Sequence, residues 1–325
     1  MAVGGRTYAG APVRRKAKAL DFSMTIPSES YETKYQKYVA ALTWMESLGL
    51  DVNRGRLSHY KQIISYWKDA YKTATIQEAQ KAFPDFVNAM CEIEDFVSVF
   101  RAFGNEPKNK LTLIRDKLEK SIGGPAELVK ENGKSNVARN FLFEAVTAAK
   151  SHQPGRGVSA ILSADSDTGI AVDNKKIWVE CKRLSSVKKI EANVKDASSQ
   201  LEKIIRKKSG SGHRGVVALD VSKLFNPGDK IYPRGNDLEL VSSINQMMDR
   251  FIEESSNYWE KVYSRRSRSI IGTIIRFSFM SVSEGRNLLV TTSQWGLNPR
   301  QGVSDADERV LTNLVTKLDD DPWTG

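Results

Sequence analysis

The chain has few of the residues that cross-link small proteins or bind structural metals. Its 325 residues include two cysteines and three histidines. Cys91 and Cys181 are too few for a disulfide framework, which favours a reducing cytoplasm. His59, His152 and His213 lie too far apart in the sequence to have the ligand spacing of a structural zinc site. A disulfide scaffold and a zinc module are therefore not expected.

Long apolar runs and phosphate-binding glycine loops are also missing. No run approaches the roughly 20 apolar residues that cross a bilayer, and residues 1–20 hold no apolar segment of signal-peptide length. We therefore expect a cytoplasmic protein with no membrane association. The sequence has no Walker-type loop, which argues against nucleotide hydrolysis. With 40% hydrophobic residues, the chain can form one large or two modest globular domains.

Positive charge is abundant and unevenly distributed. The net charge is +10, and residues 182–214 hold ten Lys and Arg against three acids. Residues 1–20 add five basic residues and no acid, and residues 261–276 add another five. A charged run is usually a solvated face, but clustered basic residues can also neutralise nucleic-acid phosphates with little dependence on base sequence. Both interpretations remain open from charge alone.

The pattern along the chain predicts three parts. Residues 1–28 are rich in Gly, Ala, Arg and Lys, which predicts a flexible basic arm. Residues 29–134 predict an all-helical domain, in which Pro84 starts or breaks the third helix. Its tyrosines could stack on bases, but helical spacing favours core packing, and this domain could mediate homo-oligomers or contact a protein partner. Residues 135–325 predict a domain containing both strands and helices.

The segment 165–182 predicts a β-hairpin with functional side chains on one face. Val172 and Ile177 flank a turn-forming stretch, and the apolar pattern pairs them and places Ile170 opposite Val179. In this register Asp167 lies opposite Lys182 and diagonal to Glu180. The simplest alternative is an Asp–Lys pair with a nearby Glu on a solvated sheet face.

The composition of the second strand favours a functional role. Ile177, Trp178 and Val179 form a continuous apolar run, which is typical of a strand covered on both faces. Acidic residues in such a strand are costly unless they are paired or coordinate a metal. The pattern therefore indicates that Asp167 and Glu180 could bind a divalent cation.

These residues resemble the signature of the PD-(D/E)XK nucleases, which have restriction-endonuclease-like folds. Asp167 and then Glu180, Cys181 and Lys182 at the end of an apolar strand match the motif, although Ser166 replaces the usual proline. The family places a glutamate-bearing helix before the hairpin, and Glu144 lies in such a predicted helix. The resemblance covers about 85 residues.

The resemblance implies an α/β fold with a mixed central sheet. Helical and strand patterns from about 136 to 221 give the order αβββαβ of the restriction-endonuclease-like core, preceded here by the all-helical domain. The first strand is expected at 158–163, and the helix after the hairpin at about 188–207. Further on we expect a helix at 236–262, strands at 270–279 and 287–292, and a helix at 306–318.

The resemblance also implies a metal-dependent nuclease site. Asp167, Glu180 and the carbonyl of Cys181 would hold Mg²⁺ or Mn²⁺, and Glu144 would complete the site directly or through water. Lys182 would orient the attacking water or stabilise charge on the phosphate. Gln200 resembles a helix glutamine found near the site in some subfamilies, although the tyrosine expected four residues later is Ile204.

Basic residues around this motif are the expected contacts to nucleic acid, with DNA favoured over RNA. Together with Gln200, the candidates are Arg183, Lys188, Lys189, Arg206, Lys207, Lys208 and Arg214. Two alternatives stay open: a non-catalytic nucleic-acid-binding or assembly protein that retains the scaffold, and a protein-interaction module in which the helical domain is the active part.

Overall fold

The structure is a computed structural model, and it describes residues 26, 28–132, 135–162, 165–226 and 230–319. It is a mixed α/β protein with helices in the N-terminal region followed by a curled mixed sheet. The predicted basic arm at 1–28 falls outside the described residues except for Ile26 and Ser28. The described Ile26 is buried, and its N–H donates to Asp237 Oδ2 at 2.7 Å.

Four α-helices form the N-terminal region. They are α1 Tyr31–Ser47, α2 Gly55–Ala70, α3 Ile76–Phe103 and α4 Thr112–Ser121. The start of α1 is capped by Ser30, whose hydroxyl accepts the Thr33 N–H at 3.0 Å. Their apolar faces, with Tyr38, Leu57 and Phe96 at the centre, form one core.

The prediction that Pro84 starts or breaks the third helix is wrong. Helix α3 begins eight residues earlier, where Thr75 and Glu78 form a reciprocal capping box. Pro84 lies inside the helix. The loss of its backbone N–H is tolerated because the cap stabilises the first turns and the following residues bury a long apolar face.

The elements that follow have the predicted αβββαβ order. They are α5 Val137–Lys150, β1 Val158–Ile161, β2 Thr168–Val172, β3 Lys175–Arg183, α6 Ile190–Arg206 and β4 His213–Asp220. Strand β1 ends two residues before the expected boundary, and Ser163 lies outside the described residues. Helices α3 and α4 pack directly on α5, and Ala145 and Val146 of α5 belong to the same core as α1–α4.

The register of the β2–β3 hairpin differs from the prediction by two residues. Ile170 faces Ile177 instead of Val179, and Val172 faces Lys175. The turn consists of Asp173 and Asn174 alone, both with positive φ (48° and 60°). Asp and Asn tolerate this left-handed conformation, and two such residues close the tight hairpin turn that matches strand twist. A slip of two keeps every side chain on its predicted face but changes its partner.

The remaining elements are three strands of the sheet and four α-helices. They are α7 Ser222–Phe225, β5 Tyr232–Arg234, α8 Asp237–Glu254, α9 Ser256–Tyr263, β6 Ile270–Ser283, β7 Leu288–Pro299 and α10 Asp305–Asp319. The single helix expected at 236–262 is divided at Ser255, and β6 and β7 are both longer than predicted. The last helix lies at the expected place.

Strands β1 to β4, then β6 and β5, form one mixed sheet, and β7 pairs with β6. Strands β1–β2, β2–β3 and β6–β7 are antiparallel, whereas β3–β4, β4–β6 and β5–β6 are parallel. One face of the sheet, including Trp178 and Val217, packs on α6, α8 and α9. The opposite face, including Val179 and Ala218, packs on Phe143 of α5 and on α10.

A buried ion network joins the helical region to the sheet. Arg276 of β6 pairs with Asp95 of α3 and lies 3.8 Å from Asp220 of β4. At the end of β3, which pairs with β4, Arg183 lies 3.6 Å from Asp220 and 2.7 Å from Glu131. Burial raises the pKa of Asp95. The positive charge of Arg276 opposes this rise, and the negative charges of Asp220 and Glu92 add to it. The network therefore holds α3 against the C-terminal ends of β3 and β4 and the middle of β6.

No helix in the described ranges combines the length and apolar character needed to cross a membrane.

Replacing Arg276 with Met should strongly destabilise the protein. The change leaves the buried Asp95 carboxylate without its main partner, and breaking a buried pair costs about 3–5 kcal/mol. The free energy of unfolding from urea titration measures this loss. Arg115→Met, on the exposed side of α4, is the matched control and should stay within about 0.5 kcal/mol of wild type. Equal stabilities for the two variants would contradict the assigned role of the network.

Candidate metal centre at the end of strand β3

Two charged side chains project from the same face of β3 near its C-terminal end. Glu180 and Lys182 are two residues apart, so both point towards the α6 side of the sheet with Trp178. Glu180 is 5% exposed, and its Oε2 lies 3.9 Å from Lys182 Nζ. The first two groups of the site are therefore a buried acid and a neighbouring lysine.

Asp167 completes the acidic pair from the adjacent strand. It directly precedes Thr168, which faces Val179, so it lies across from Glu180 and not across from Lys182 as predicted. Its Oδ2 accepts the backbone N–H of Cys181 at 2.8 Å. The Glu180 carboxyl group also hydrogen-bonds with Asp167. The two-residue slip in register thus brings the two carboxyl groups into direct contact.

This crowding changes the acidity of Glu180. Burial, followed by the Asp167 charge, raises the pKa of Glu180 to about 8, and Lys182 only partly opposes the rise. A carboxyl group beside a second carboxylate in a poorly solvated place resists ionisation. The site therefore has a deficit of positive charge that a cation could supply.

Glu144 of α5 brings a third carboxyl group to the site. It is 7% exposed, and the Thr168 hydroxyl donates to its backbone carbonyl at 3.1 Å, which joins α5 to the start of β2. Burial and the nearby Asp167 raise the pKa of Glu144 to about 7, against the opposing effect of Lys117. The Glu144 carboxyl group is therefore near enough to Asp167 for their charges to interact.

Lys117 is a site residue that the sequence analysis missed. It lies on α4, is 6% exposed, and its ammonium group forms an ion pair with the Glu144 carboxylate. The available signal was a lysine within an apolar stripe, since Ile114 and Leu118 on the same side of α4 are buried. A lysine in that position needs an acidic partner, but the sequence does not reveal which acid it is.

Cys181 contributes main-chain groups to the site. Its thiol points to the opposite face of the sheet, with Sγ 3.8 Å from the Thr147 hydroxyl of α5. Burial, together with Asp167 and Glu144, raises the thiol pKa well above its usual value. The thiol is thus an inert core group, and both cysteines of the protein are free.

Gln200 lies beside the predicted site. It is on the exposed side of α6, and its Oε1 accepts a hydrogen bond from Lys182 Nζ at 3.1 Å. The ammonium of Lys182 is therefore positioned between Glu180 and Gln200. Four residues on, Ile204 is part of the apolar cover of the sheet.

The carboxylate oxygens form a donor set suited to hard divalent cations such as Mg²⁺ and Mn²⁺. Asp167 and Glu180 are in contact, but Glu144 is engaged by Lys117. In the described part of the chain, no three His, Cys, Asp or Glu side chains are grouped so that they could hold a metal ion. Asp167 and Glu180 are the two carboxyl groups that interact directly, and their oxygen atoms are the ligand type that such cations prefer.

Five of the predicted basic contacts to nucleic acid lie around α6. Lys188 and Lys189 are exposed in the short turn before this helix, and Arg206 and Lys207 are exposed at its end. Lys208 pairs with Asp165, two residues before Asp167, and lies 4.7 Å from the centre of the Trp178 ring. A basic surface therefore follows α6 beside the acidic site.

Arg183 and Arg214 occupy other environments than expected. Arg183 belongs to the buried ion network, where its side chain is 9% exposed and bound to Glu131. Arg214 pairs with Asp307 of α10 at 2.9 Å, on the opposite face of the sheet from Lys182. Both arginines lie in a basic stretch of the sequence, but the acids that bind them are distant in sequence. Neither guanidinium group joins the surface along α6.

No family model matches the sequence, and no curated protein and no solved structure matches the chain.

The raised pKa of Glu180 predicts an unusual pH dependence of stability in metal-free protein. Between the ordinary value of 4.5 and about 8, the folded protein binds more protons than the unfolded chain. Stability should therefore fall as the pH rises through this range. Glu180→Gln should remove much of this slope and stabilise the protein at pH 8.5 by on the order of 2 kcal/mol.

Urea titrations in EDTA from pH 5 to pH 9 test this expectation. Glu253→Gln, which changes an exposed carboxylate on α8, is the matched control and should keep the wild-type slope. If Glu180→Gln had the same pH dependence of stability as wild type, the pKa of Glu180 would not be raised by burial and by Asp167.

Proposed function

We propose that this protein is a metal-dependent nuclease that hydrolyses phosphodiester bonds, with DNA as the substrate class. The observation that carries the proposal is the convergence of Asp167, Glu180 and Lys182 on one sheet face. Each of the three has a defined neighbour: the Cys181 N–H for Asp167, Asp167 for Glu180, and Gln200 for Lys182. A solvated Asp–Lys pair does not account for two acids pressed together in a buried strand.

The fold supports this assignment. The αβββαβ order, with an antiparallel three-strand unit followed by the parallel β3–β4 pair, corresponds to the core of restriction-endonuclease-like proteins. The acids lie where β2 begins and β3 ends, beside the first helix of that unit. We therefore propose that residues 137–220 form a restriction-endonuclease-like core within the larger mixed sheet.

Asp167, Glu180 and the Cys181 carbonyl would hold Mg²⁺ or Mn²⁺, with Glu144 nearby. When bound, the metal would lower the pKa of a coordinated water and neutralise charge on the phosphate. The Cys181 N–H fixes the Asp167 carboxylate in position for this role. Binding of the cation would also relieve the repulsion between Asp167 and Glu180, because its positive charge would stabilise the ionised form of Glu180.

Lys182 acts on the substrate. Its ammonium group, placed between Glu180 and Gln200, would donate hydrogen bonds to the attacking water or to a phosphate oxygen. A fixed positive charge beside the phosphate stabilises the additional negative charge of the transition state. Gln200 is a positioning residue, since it contacts the ammonium group and restricts its orientation.

The surface along α6 would hold the nucleic-acid backbone. Lys188 and Lys189 at one end of the helix and Arg206 and Lys207 at the other are exposed. Contacts between such residues and phosphates give affinity with little sequence information. The guanidinium groups of Arg183 and Arg214, which are held by acids elsewhere in the fold, take no part in this binding.

Asp167→Asn, Glu180→Gln and Lys182→Met should each reduce DNA cleavage in Mg²⁺ or Mn²⁺ by at least about 10²-fold, because each removes a group needed at the phosphate. Binding of DNA in EDTA should remain within a few fold of wild type. Lys176→Met, an exposed lysine at the other end of β3, is the matched control and should cleave normally. Assays on single- and double-stranded DNA and RNA define the substrate.

The assignment fails if a purified, folded Glu180→Gln protein cleaves at the wild-type rate. Salt-sensitive binding by wild type without cleavage of any substrate would instead indicate a non-catalytic nucleic-acid-binding protein. If wild type neither binds nor cleaves nucleic acid, a protein-interaction role of the helical region becomes the better interpretation.

Changing Lys188 and Lys189 together to Gln should weaken DNA binding and its salt dependence. Removing one lysine–phosphate interaction reduces the slope of log affinity against log salt by about 0.9 for duplex DNA, so the slope of the double variant should be smaller by about 2. Fluorescence anisotropy between about 50 and 200 mM salt measures the slope. The control changes Lys81 and Lys110, which are exposed in the helical region, to Gln. An unchanged slope for the Lys188/Lys189 variant would exclude both residues from binding phosphates.

A further inference from the structure

The helical region places one positive charge inside the acidic site. Lys117 of α4 is buried, and its ammonium group pairs with Glu144, although the two residues belong to different helices. Burying a lysine is costly unless the charge is compensated. Replacing a whole buried ion pair with well-packed apolar residues is often neutral or stabilising, so the packing of α4 on α5 does not by itself explain a charged pair at this place.

The position of Lys117 is fixed by the packing of α4. Ile114 and Leu118, on either side of it, are 1% and 0% exposed. The end of the helix is tied to α2, because Arg56 Nη2 donates to the Ser121 carbonyl at 2.5 Å. The ammonium group is therefore held at the site by rigid elements and does not reach it as a mobile surface side chain.

The charges of the site are nearly balanced by its own lysines. Asp167, Glu180 and Glu144 provide three carboxyl groups, and Lys117 and Lys182 provide two ammonium groups. One divalent cation is enough to compensate the remaining negative charge. A second divalent cation beside Glu144 would have to displace the Lys117 ammonium or lie close to it, and both are unfavourable in a poorly solvated pocket.

We propose that Lys117 occupies the place of a second divalent cation at Glu144, so that the site binds one metal ion between Asp167 and Glu180. Where nucleases use two metal ions, these lie about 3.5–4 Å apart and clamp the attacking and leaving oxygens. Here the ammonium group of Lys117 supplies the second positive charge permanently. The inference rests on the proposed metal-dependent function and specifies its metal stoichiometry. Lys117 is a positioning residue that acts through Glu144.

The number of Mn²⁺ ions bound per chain tests the inference. Isothermal titration calorimetry and the electron paramagnetic resonance of free Mn²⁺ both count bound ions without requiring cleavage. Full-length wild type should bind one ion. Lys117→Met should bind two, because it removes the ammonium partner of the Glu144 carboxylate, whereas Lys117→Arg, which keeps the charge, should bind one.

Two further variants control for indirect effects. The double variant Lys117→Met/Glu144→Gln should return to one ion, because it removes the carboxylate that holds the second ion and also leaves no unpaired charge to disturb folding. Lys120→Met changes an exposed lysine of the same helix and should bind one ion.

The outcomes separate this inference from the proposed function. If wild type binds two ions, or if Lys117→Met still binds one with unchanged affinity, the role of Lys117 is wrong while the metal-dependent function stands. If wild type binds no Mn²⁺ in the absence and presence of DNA, both the function and the role of Lys117 are overturned. One ion in wild type and two in Lys117→Met support the inference.

Discussion

The site depends on electrostatic repulsion between carboxyl groups that the fold forces together. Asp167 and Glu180 lie on neighbouring strands at a place with little solvent, and Glu144 approaches from the helix on the opposite side of the sheet. In this environment acids retain protons unless cations are near. The lysines at positions 117 and 182 relieve part of the repulsion. The remaining deficit of positive charge is the physical basis of the proposed cation site.

Much of the fold follows from patterns within short segments. Apolar spacing located the helices on either side of the hairpin, and the continuous run at Ile177–Val179 identified a strand covered on both faces. The hairpin register was two residues off because several turn-forming residues lie together, and left-handed conformations at Asp173 and Asn174 decide between the possible turns. Since the slip was even, the prediction that the acids share a face survived, while the prediction of which groups touch did not.

Long-range pairing was beyond the sequence patterns. Lys117 reaches Glu144 across 27 residues, and Arg214 finds Asp307 across 93. Both pairs form because the packing of whole elements brings them together, and local charge density carries no information on that packing. A cluster of basic residues in a sequence therefore does not show which of their side chains face solvent and which neutralise buried acids.

The turn at Asp173 and Asn174 has a consequence for how the chain can evolve. A one-residue shift in the β2–β3 pairing would rotate β2 by half a period, placing Asp167 in the apolar layer and Thr168 beside Glu180. A two-residue shift would restore the faces but move the aspartate about 7 Å along the strand. Changes in the turn that alter the strand pairing are thus incompatible with an intact acidic pair, although the turn itself is exposed and far from the pair.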